Sequence, residues 1–225
     1  MSEPQVRAMF DRIAGFYDVM NSVMTAGLHH RWRSRAVDLA DVGPGSQVLD
    51  VASGTGDLAI ELARRVAPTG DVIGSDFSEE MLQRARQKAP GLTWEWGNAL
   101  DLPYASARFD AATVGFGARN FSDLDQGLSE MARVVKPGGK VVVLEITTPH
   151  KPPLSTFYRV WFDRVVPLIG RVTGEDEAYT YLPNSVRRFP GPEGLAAAMT
   201  RAGLTDVRWI LTAGGIIALH VGTRT

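Results

Sequence analysis

A short apolar run, Val48-Leu49-Asp50-Val51-Ala52, leads into Ser53-Gly54-Thr55-Gly56-Asp57-Leu58-Ala59, and no other stretch of the chain concentrates as much potential chemistry. Glycines at 54 and 56 let a ligand approach the backbone closely, and a helix beginning just after them offers unsatisfied N–H donors. Asp76 closes the next apolar run, 22 residues beyond Gly54. A carboxylate there can accept hydrogen bonds from both hydroxyls of a ribose. After the third run, Gly97-Asn98-Ala99-Leu100-Asp101-Leu102-Pro103 puts polar groups where an adenine edge would lie. The set describes an adenosine site at the carboxyl edge of a parallel sheet.

Gly54-x-Gly56-x-x-Ala59 also satisfies a dinucleotide fingerprint, so a nicotinamide-dependent oxidoreductase competes on the loop alone. Asp50 tilts the choice. Four residues before the first glycine, its carboxylate can hold a cationic ammonium group but would repel a pyrophosphate. No second substrate domain follows the nucleotide half either. The residues therefore favour S-adenosylmethionine (SAM), an adenosine that carries an amino acid and a sulfonium.

These residues need a sheet to position them. From Val48 onward, short apolar runs at 47–52, 71–76, 92–96, 109–115 and 139–146 alternate with amphipathic stretches, the βαβ pattern of a parallel sheet covered by helices. Leu124, Leu128, Met131 and Val135 share a helical face, with Ser122 as N-cap and Lys136-Pro137-Gly138-Gly139 as stop signal. Ser78 opens another helix, with Glu79 and Glu80 complementing its dipole. Runs at 205–211 and 215–222, joined by Gly214-Gly215, are too close for a parallel crossover and must be antiparallel. The expected fold is an α/β, Rossmann-like seven-stranded sheet with an antiparallel last strand. One domain spans 1–225: a helical appendage at 1–44, a core at 45–150, a helical cap at 151–190, and a helix with an antiparallel strand pair at 191–225.

Composition narrows the function. With 44% hydrophobic and 22% charged residues in 225, the chain has the make-up of a globular protein. A net charge of -1 provides no field to gather nucleic acid. The absence of cysteine excludes disulfides, thiolate metal sites and a cysteine nucleophile. The N-terminal residues lack a secretory h-region and no 18-residue apolar run occurs, so the expectation is a cytoplasmic protein with at most peripheral membrane contact.

Four separated motifs carry a family resemblance. Tyr17-Asp18-Val19-Met20-Asn21-Ser22-Val23-Met24-Thr25-Ala26-Gly27-Leu28-His29-His30-Arg31-Trp32 resembles the N-terminal signature of the UbiE/COQ5/MenG family of quinone-biosynthesis C-methyltransferases. Arg133 to Thr147 (RVVKPGGKVVVLEIT) resembles the second signature, Phe116-Gly117-Ala118-Arg119-Asn120 is similar to the family's FGLRN, and Gly214 to His220 to its GGIVALH. Thr25 and Thr147 stand where the family usually has Ser, which keeps a hydroxyl. The match runs from about Phe10 to Gly222. It implies a class I methyltransferase fold, SAM as methyl donor, and a prenylated quinol as acceptor, demethylmenaquinol or the corresponding ubiquinone precursor. Carried over by motif, Thr55, Asp76, Asn98 and Ala99 contact SAM, joining Asp50, Gly54 and Gly56. Family members often place a SAM-contacting Ser where this chain has Gly115, so that contact is dropped.

For the acceptor, the resemblance directs attention to Arg119 and Asn120, just after the fourth strand. Arg119 would stabilise a developing phenolate and Asn120 would orient the quinol oxygen. The structural alternative is that Arg119 pairs with an acid and Asn120 caps a turn. Tyr17 and Asp18 would reach the acceptor if the N-terminal helix folds over the cleft, or would staple that helix in place. His220 joins the candidate acceptor contacts through its motif, against a role as core histidine. His29 and His30 point about 100° apart on a helix and lack a third ligand, which disfavours a metal site. Phe157, Val160, Trp161, Val165, Leu168 and Ile169 form an apolar face. With Met20 and Met24 it would make a mouth for an isoprenoid tail, or simply pack on the sheet. Homo-oligomerisation, a quinone-biosynthesis complex, a noncatalytic SAM-binding role within one, and another small-molecule acceptor all stay open.

Overall fold

The computed structural model describes residues 3–15, 25, 27–149, 152, 155–156 and 176–225. Tyr17, Asp18, Met20, Met24 and the apolar face from Phe157 to Ile169 lie outside them. Seven strands form one sheet: β1 (Gln47–Val51), β2 (Asp71–Asp76), β3 (Thr93–Trp96), β4 (Phe109–Gly115), β5 (Val135–Ile146), β6 (Leu204–Thr212) and β7 (Ile217–Arg224). Their spatial order is β3-β2-β1-β4-β5-β7-β6. The pairs from β3 across to β5 are parallel, while β7 runs antiparallel to both β5 and β6. The order reverses between β1 and β4, the switch point at which open α/β sheets leave a crevice beyond their carboxyl ends.

Alternation along the central strands buries both faces. Val48, Val142 and Leu144 join one core with Leu58, Leu62 and Leu82, whereas Leu49, Val51 and Val143 join the other with Leu128, Met131 and Leu195. Each such side chain contributes on the order of 1.5–3 kcal/mol by leaving water. Helices α1 (Glu3–Ile13) and α2 (His29–Leu39) precede the sheet, and α3 (Asp57–Val66), α4 (Glu79–Lys88) and α5 (Leu124–Val134) connect its strands. Helices α6 (Asp176–Arg188) and α7 (Pro192–Arg201) precede β6.

Ser78 caps α4 as expected, its hydroxyl accepting from the Met81 N–H at 3.2 Å. The cap of α5 is Asp123 rather than Ser122. Its Oδ1 accepts from the Gln126 N–H at 3.0 Å because the helix starts at Leu124, one residue later than the apolar spacing suggested. The expected stop signal also behaves differently. Val135 leaves the helix and pairs with Phe109, so β5 begins before the Pro-Gly-Gly segment, which the strand carries as an irregularity with Gly138 at φ +82°.

Candidate functional site

A cleft opens at the carboxyl ends of β1, β2 and β4. The space within it, open solvent included, is about 890 Å³. Asp50, Gly54, Thr55, Asp76, Asn98, Ala99 and Asn120 all line it. Gly56 shapes the loop from behind: at φ +90°, a Cβ there would meet the Trp94 ring at 2.3 Å. Gly54 also sits in the left-handed region, at φ +56°, with open space on its Cβ side. The glycine loop thus turns into α3 with its backbone accessible.

Two carboxylates anchor the floor. Asp76 accepts from the N–H of Gly54 at 2.8 Å through Oδ2 and from the N–H of Ser78 at 2.9 Å through Oδ1. Burial raises it to about 6 against the pull of those N–H groups. Each of its oxygens keeps a lone pair for a further donor, as a ribose diol requires. Asp50 lies opposite Thr113 in the β1–β4 register, and the Thr113 hydroxyl donates to its Oδ1 at 2.6 Å. The Oδ2 of Asp50 is buried and has no hydrogen-bond partner. Burial raises Asp50 to about 7, opposed by Thr113 and by the charge of Arg33. An orphaned carboxylate oxygen facing a cleft fits a cationic ligand group.

Asn98 uses its Oδ1 to accept from the Leu100 N–H at 3.0 Å, which shapes the wall next to Ala99. Phe10, Phe77 and Met81 bring apolar surface to the same cleft. Gly115 lines it too, and a Cβ there would lie 3.1 Å from the tip of Leu58. A serine at 115 would therefore require Leu58 to yield, while glycine leaves both the space and the leucine as they are.

The acceptor candidates separate. Asn120, in a 3₁₀ turn at Ala118–Asn120, reaches the cleft, and its Oδ1 accepts from the Tyr181 hydroxyl of α6 at 3.1 Å. Arg119 points elsewhere. Its guanidinium donates to Glu145 Oε1 at 2.6 Å and to the Phe116 carbonyl at 2.5 Å, forming a nearly solvent-free ion pair behind the turn. It is not among the described residues that line the cleft. His220 is fully buried on β7, its Nε2 2.9 Å from the Pro192 carbonyl and its ring stacked on Trp209. Burial lowers its pKa, and it does not reach the cleft. His29 is buried and His30 exposed, and no cluster of three or more potential metal ligands occurs among the described residues.

Four residues that matter here carry no assigned role in the sequence reading. Arg33, from α2, lines the cleft beside Asp57 and Phe116. Its Nη1 lies 3.1 Å from Asp57 Oδ2. Burial pushes Asp57 up, but Arg33 and Lys88 hold it below the usual carboxylate range. The signal was present: Arg33 sits on the same helical face as Trp32, Ala36 and Val37, which are buried, and an arginine on an apolar face needs a partner. Glu145 and Tyr181 gave no such signal. Phe116 adopts φ +60°, a costly conformation for a bulky residue that clusters at functional sites.

The sequence profile of the ubiE/COQ5 methyltransferase family matches residues 1–224. The chain is 47% identical to the demethylmenaquinone methyltransferase of Thermus thermophilus, covering 96% of this chain and all of that one. It is 40% identical to the ubiquinone/menaquinone biosynthesis C-methyltransferase UbiE of a Geobacter species, covering 98% and 96% respectively. Among solved structures, a SAM-dependent methyltransferase from Aquifex aeolicus superposes with a TM-score of 0.63 at 18% identity, over 86% of this chain and 89% of that one. At that identity the likeness speaks for the fold alone.

Proposed function

Because the chain belongs to the ubiE/COQ5 methyltransferase family, we propose that it methylates the ring of a prenylated quinol at carbon, with SAM as donor and demethylmenaquinol as principal acceptor. The observation that carries this is 47% identity to a demethylmenaquinone methyltransferase over 96% of the chain, supported by a cleft that Asp50, Gly54, Thr55 and Asp76 line. We treat residues 1–225 as one methyltransferase domain.

Aromatic carbon is a weak nucleophile unless the ring is electron-rich, so the reduced quinol is the acceptor, and loss of a hydroxyl proton raises its nucleophilicity further. SAM, when bound, supplies an electrophilic methyl group on a sulfonium. The residues of this chain then have to bind, orient and exclude water, and alignment alone is worth about 7 kcal/mol or more in favourable cases. We assign the ribose to Asp76, the adenine side to Asn98 and Ala99, and backbone contacts to Gly54, Thr55 and Gly56. Asn120 orients the quinol oxygen: the Tyr181 hydroxyl occupies its Oδ1, which leaves the amide N–H groups as donors toward that oxygen. Arg119, held behind the same turn by Glu145, would act on the phenolate only through Asn120 or a bridging water. Tyr17, Asp18 and His220 remain candidate acceptor contacts by motif alone, and the buried setting of His220 favours a structural part.

The isoprenoid tail of such an acceptor resides in a bilayer, and we place the protein at its surface. No helix of the described residues is long and apolar enough to cross a membrane. Exposed Leu28, Ile210 and Leu211 beside Arg31 and Arg35 support peripheral contact with anionic lipid. The test of the function is incubation with labelled SAM and a panel of reduced demethylmenaquinones and ubiquinone precursors, read by mass spectrometry. A ring-methylated menaquinol is the expected product. Label in none of the quinols would overturn the reading.

A further inference from the structure

Two of the four motifs meet away from the cleft. Leu28 and Trp32, at the end of the N-terminal motif, lie four residues apart and so share a face at the start of α2. Leu219, from the last motif, stands on β7 opposite Ile210 of β6. Together they line a groove between α2 and the β6–β7 side of the sheet. Its deep wall is buried, with Trp32 at 9% and Leu219 at 1% exposure, while Leu28 at 43% and Ile210 at 37% leave its outer wall open. Exposed apolar side chains that converge from distant parts of the chain mark a surface for an apolar ligand.

The strand order connects this groove to the cleft. Along the carboxyl edge, β4, β5, β7 and β6 follow one another. Each brings a partly buried apolar residue there: Phe116 after β4, Ile146 at the end of β5, Ile216 just before β7 and Ala213 just after β6. All four pack on the core cluster that contains Trp32. Phe116 also lines the cleft, and its ring lies edge-on to Trp32 at 6.4 Å. Three strand spacings of about 4.8 Å put the groove roughly 14 Å from the end of β4.

We propose that this groove holds the isoprenoid tail of the acceptor, which leaves the cleft past Phe116, crosses the carboxyl edge and lies between α2 and β6. This rests on the acceptor being a prenylated quinol. A second protein seated in the groove would not call for apolar continuity with the cleft, whereas a chain attached to a ring inside the cleft does. Arg31 and Arg35, exposed beside the groove and one turn apart, can lay their aliphatic stems along the tail and keep their charged ends outside. The groove thus opens on the same patch that is proposed to meet the bilayer.

The consequence is a preference for tail length. In one nonionic detergent and without vesicles, wild-type kcat/KM should be at least tenfold higher for a demethylmenaquinol with four isoprene units than for one with none. Ile210→Asp should lower the four-unit value at least tenfold and the one-unit value less than threefold, because a single unit stays over the carboxyl edge. Leu28→Asp, on the facing wall, should do the same, and it serves if the Ile210 variant does not fold. A photoreactive group at the far end of the four-unit tail should label the wild type within residues 28–35 or 208–213. An equal loss for every tail length, no loss, a wild type indifferent to length, or label confined to other segments such as 157–169 overturns the groove. If the wild type methylates no quinol of any length, the acceptor assignment itself fails.

Discussion

Asp50 serves two opposed demands. In the ligand-free fold, burial raises it to about 7, against 3.8 for the free side chain. The folded chain then binds a proton that the unfolded chain releases, so the stability contribution is full below about pH 4 and is lost as pH rises toward 7. Asp50→Asn removes that penalty while keeping an acceptor for Thr113. The ligand-free variant should melt above the wild type at pH 8 and level with it at pH 4, by scanning calorimetry. Donor binding should change the other way. An ammonium group favours the ionised carboxylate and displaces the proton, so wild-type affinity for SAM should tighten from about pH 5.5 to 7, and the slope should vanish in Asp50→Asn. Arg119 poses a different problem, because removing it leaves Glu145 buried and uncompensated. Arg119→Met alone should lose about 3 kcal/mol or more of stability. Arg119→Met with Glu145→Gln should recover most of that loss, retain SAM affinity, and turn over at least tenfold more slowly than Glu145→Gln alone. Equal turnover in those two variants would leave Arg119 as a brace for the turn and nothing more.

At the scale of elements, the cleft is held open by how each helix starts. Asp76 accepts from Ser78, Ser78 caps α4, and the Ser78 hydroxyl donates to Asp11 of α1 at 2.5 Å, so one short segment ties floor, helix and appendage together. The α5 cap is simpler and makes a cleaner test. Asp123→Ala should cost about 1 kcal/mol in urea unfolding, the usual loss for such a cap, and Ser122→Ala much less. The reverse ranking would restore Ser122 as the cap. Helix α6 touches the cleft lining at Asn120 through Tyr181, which shares an apolar cluster with Val6, Met9 and Ile13 of α1. The two helices therefore meet beside Asn120, and the Tyr181–Asn120 hydrogen bond ties them to the cleft lining.

For the whole molecule, the balance of charge and exposed apolar surface bears on where the reaction happens. A net charge of -1 gives no global attraction to an anionic bilayer, so the proposed contact would depend on a local patch. Arg31 and Arg35 flank Leu28, Ile210 and Leu211, three of the five exposed large hydrophobic residues among the described residues. The protein should co-float with vesicles containing phosphatidylglycerol and much less with pure phosphatidylcholine, the difference shrinking as salt rises. Leu28→Ser with Leu211→Ser should reduce flotation several-fold without altering SAM affinity. Unchanged flotation would remove the patch from the membrane contact, and light scattering on the same variants would show whether it joins two copies instead.

Local chemistry was legible in the sequence. The apolar runs, the glycine loop, Asp76 and the Ser78 cap depend on residues close together in the chain, and period and spacing reveal them directly. Glycine at 54 and 56 was readable because few other residues tolerate that backbone, and the order of strands and helices followed from their alternation. What the sequence could not determine was who meets whom across the fold. Asp50 faces Thr113 because β1 and β4 pair in one register, and Arg33 meets Asp57 because α2 packs on α3. Arg119 turns to Glu145 because β5 lies next to β4, and His220 is buried beside Pro192 because α7 lies against β7. Such pairings span tens of residues and leave no local period. They are set by strand register and helix packing: the apolar face around Arg33 says that this arginine needs a partner, but the tertiary structure alone shows that the partner is Asp57 and that Arg33 lies in the cleft, while Arg119 turns away from it.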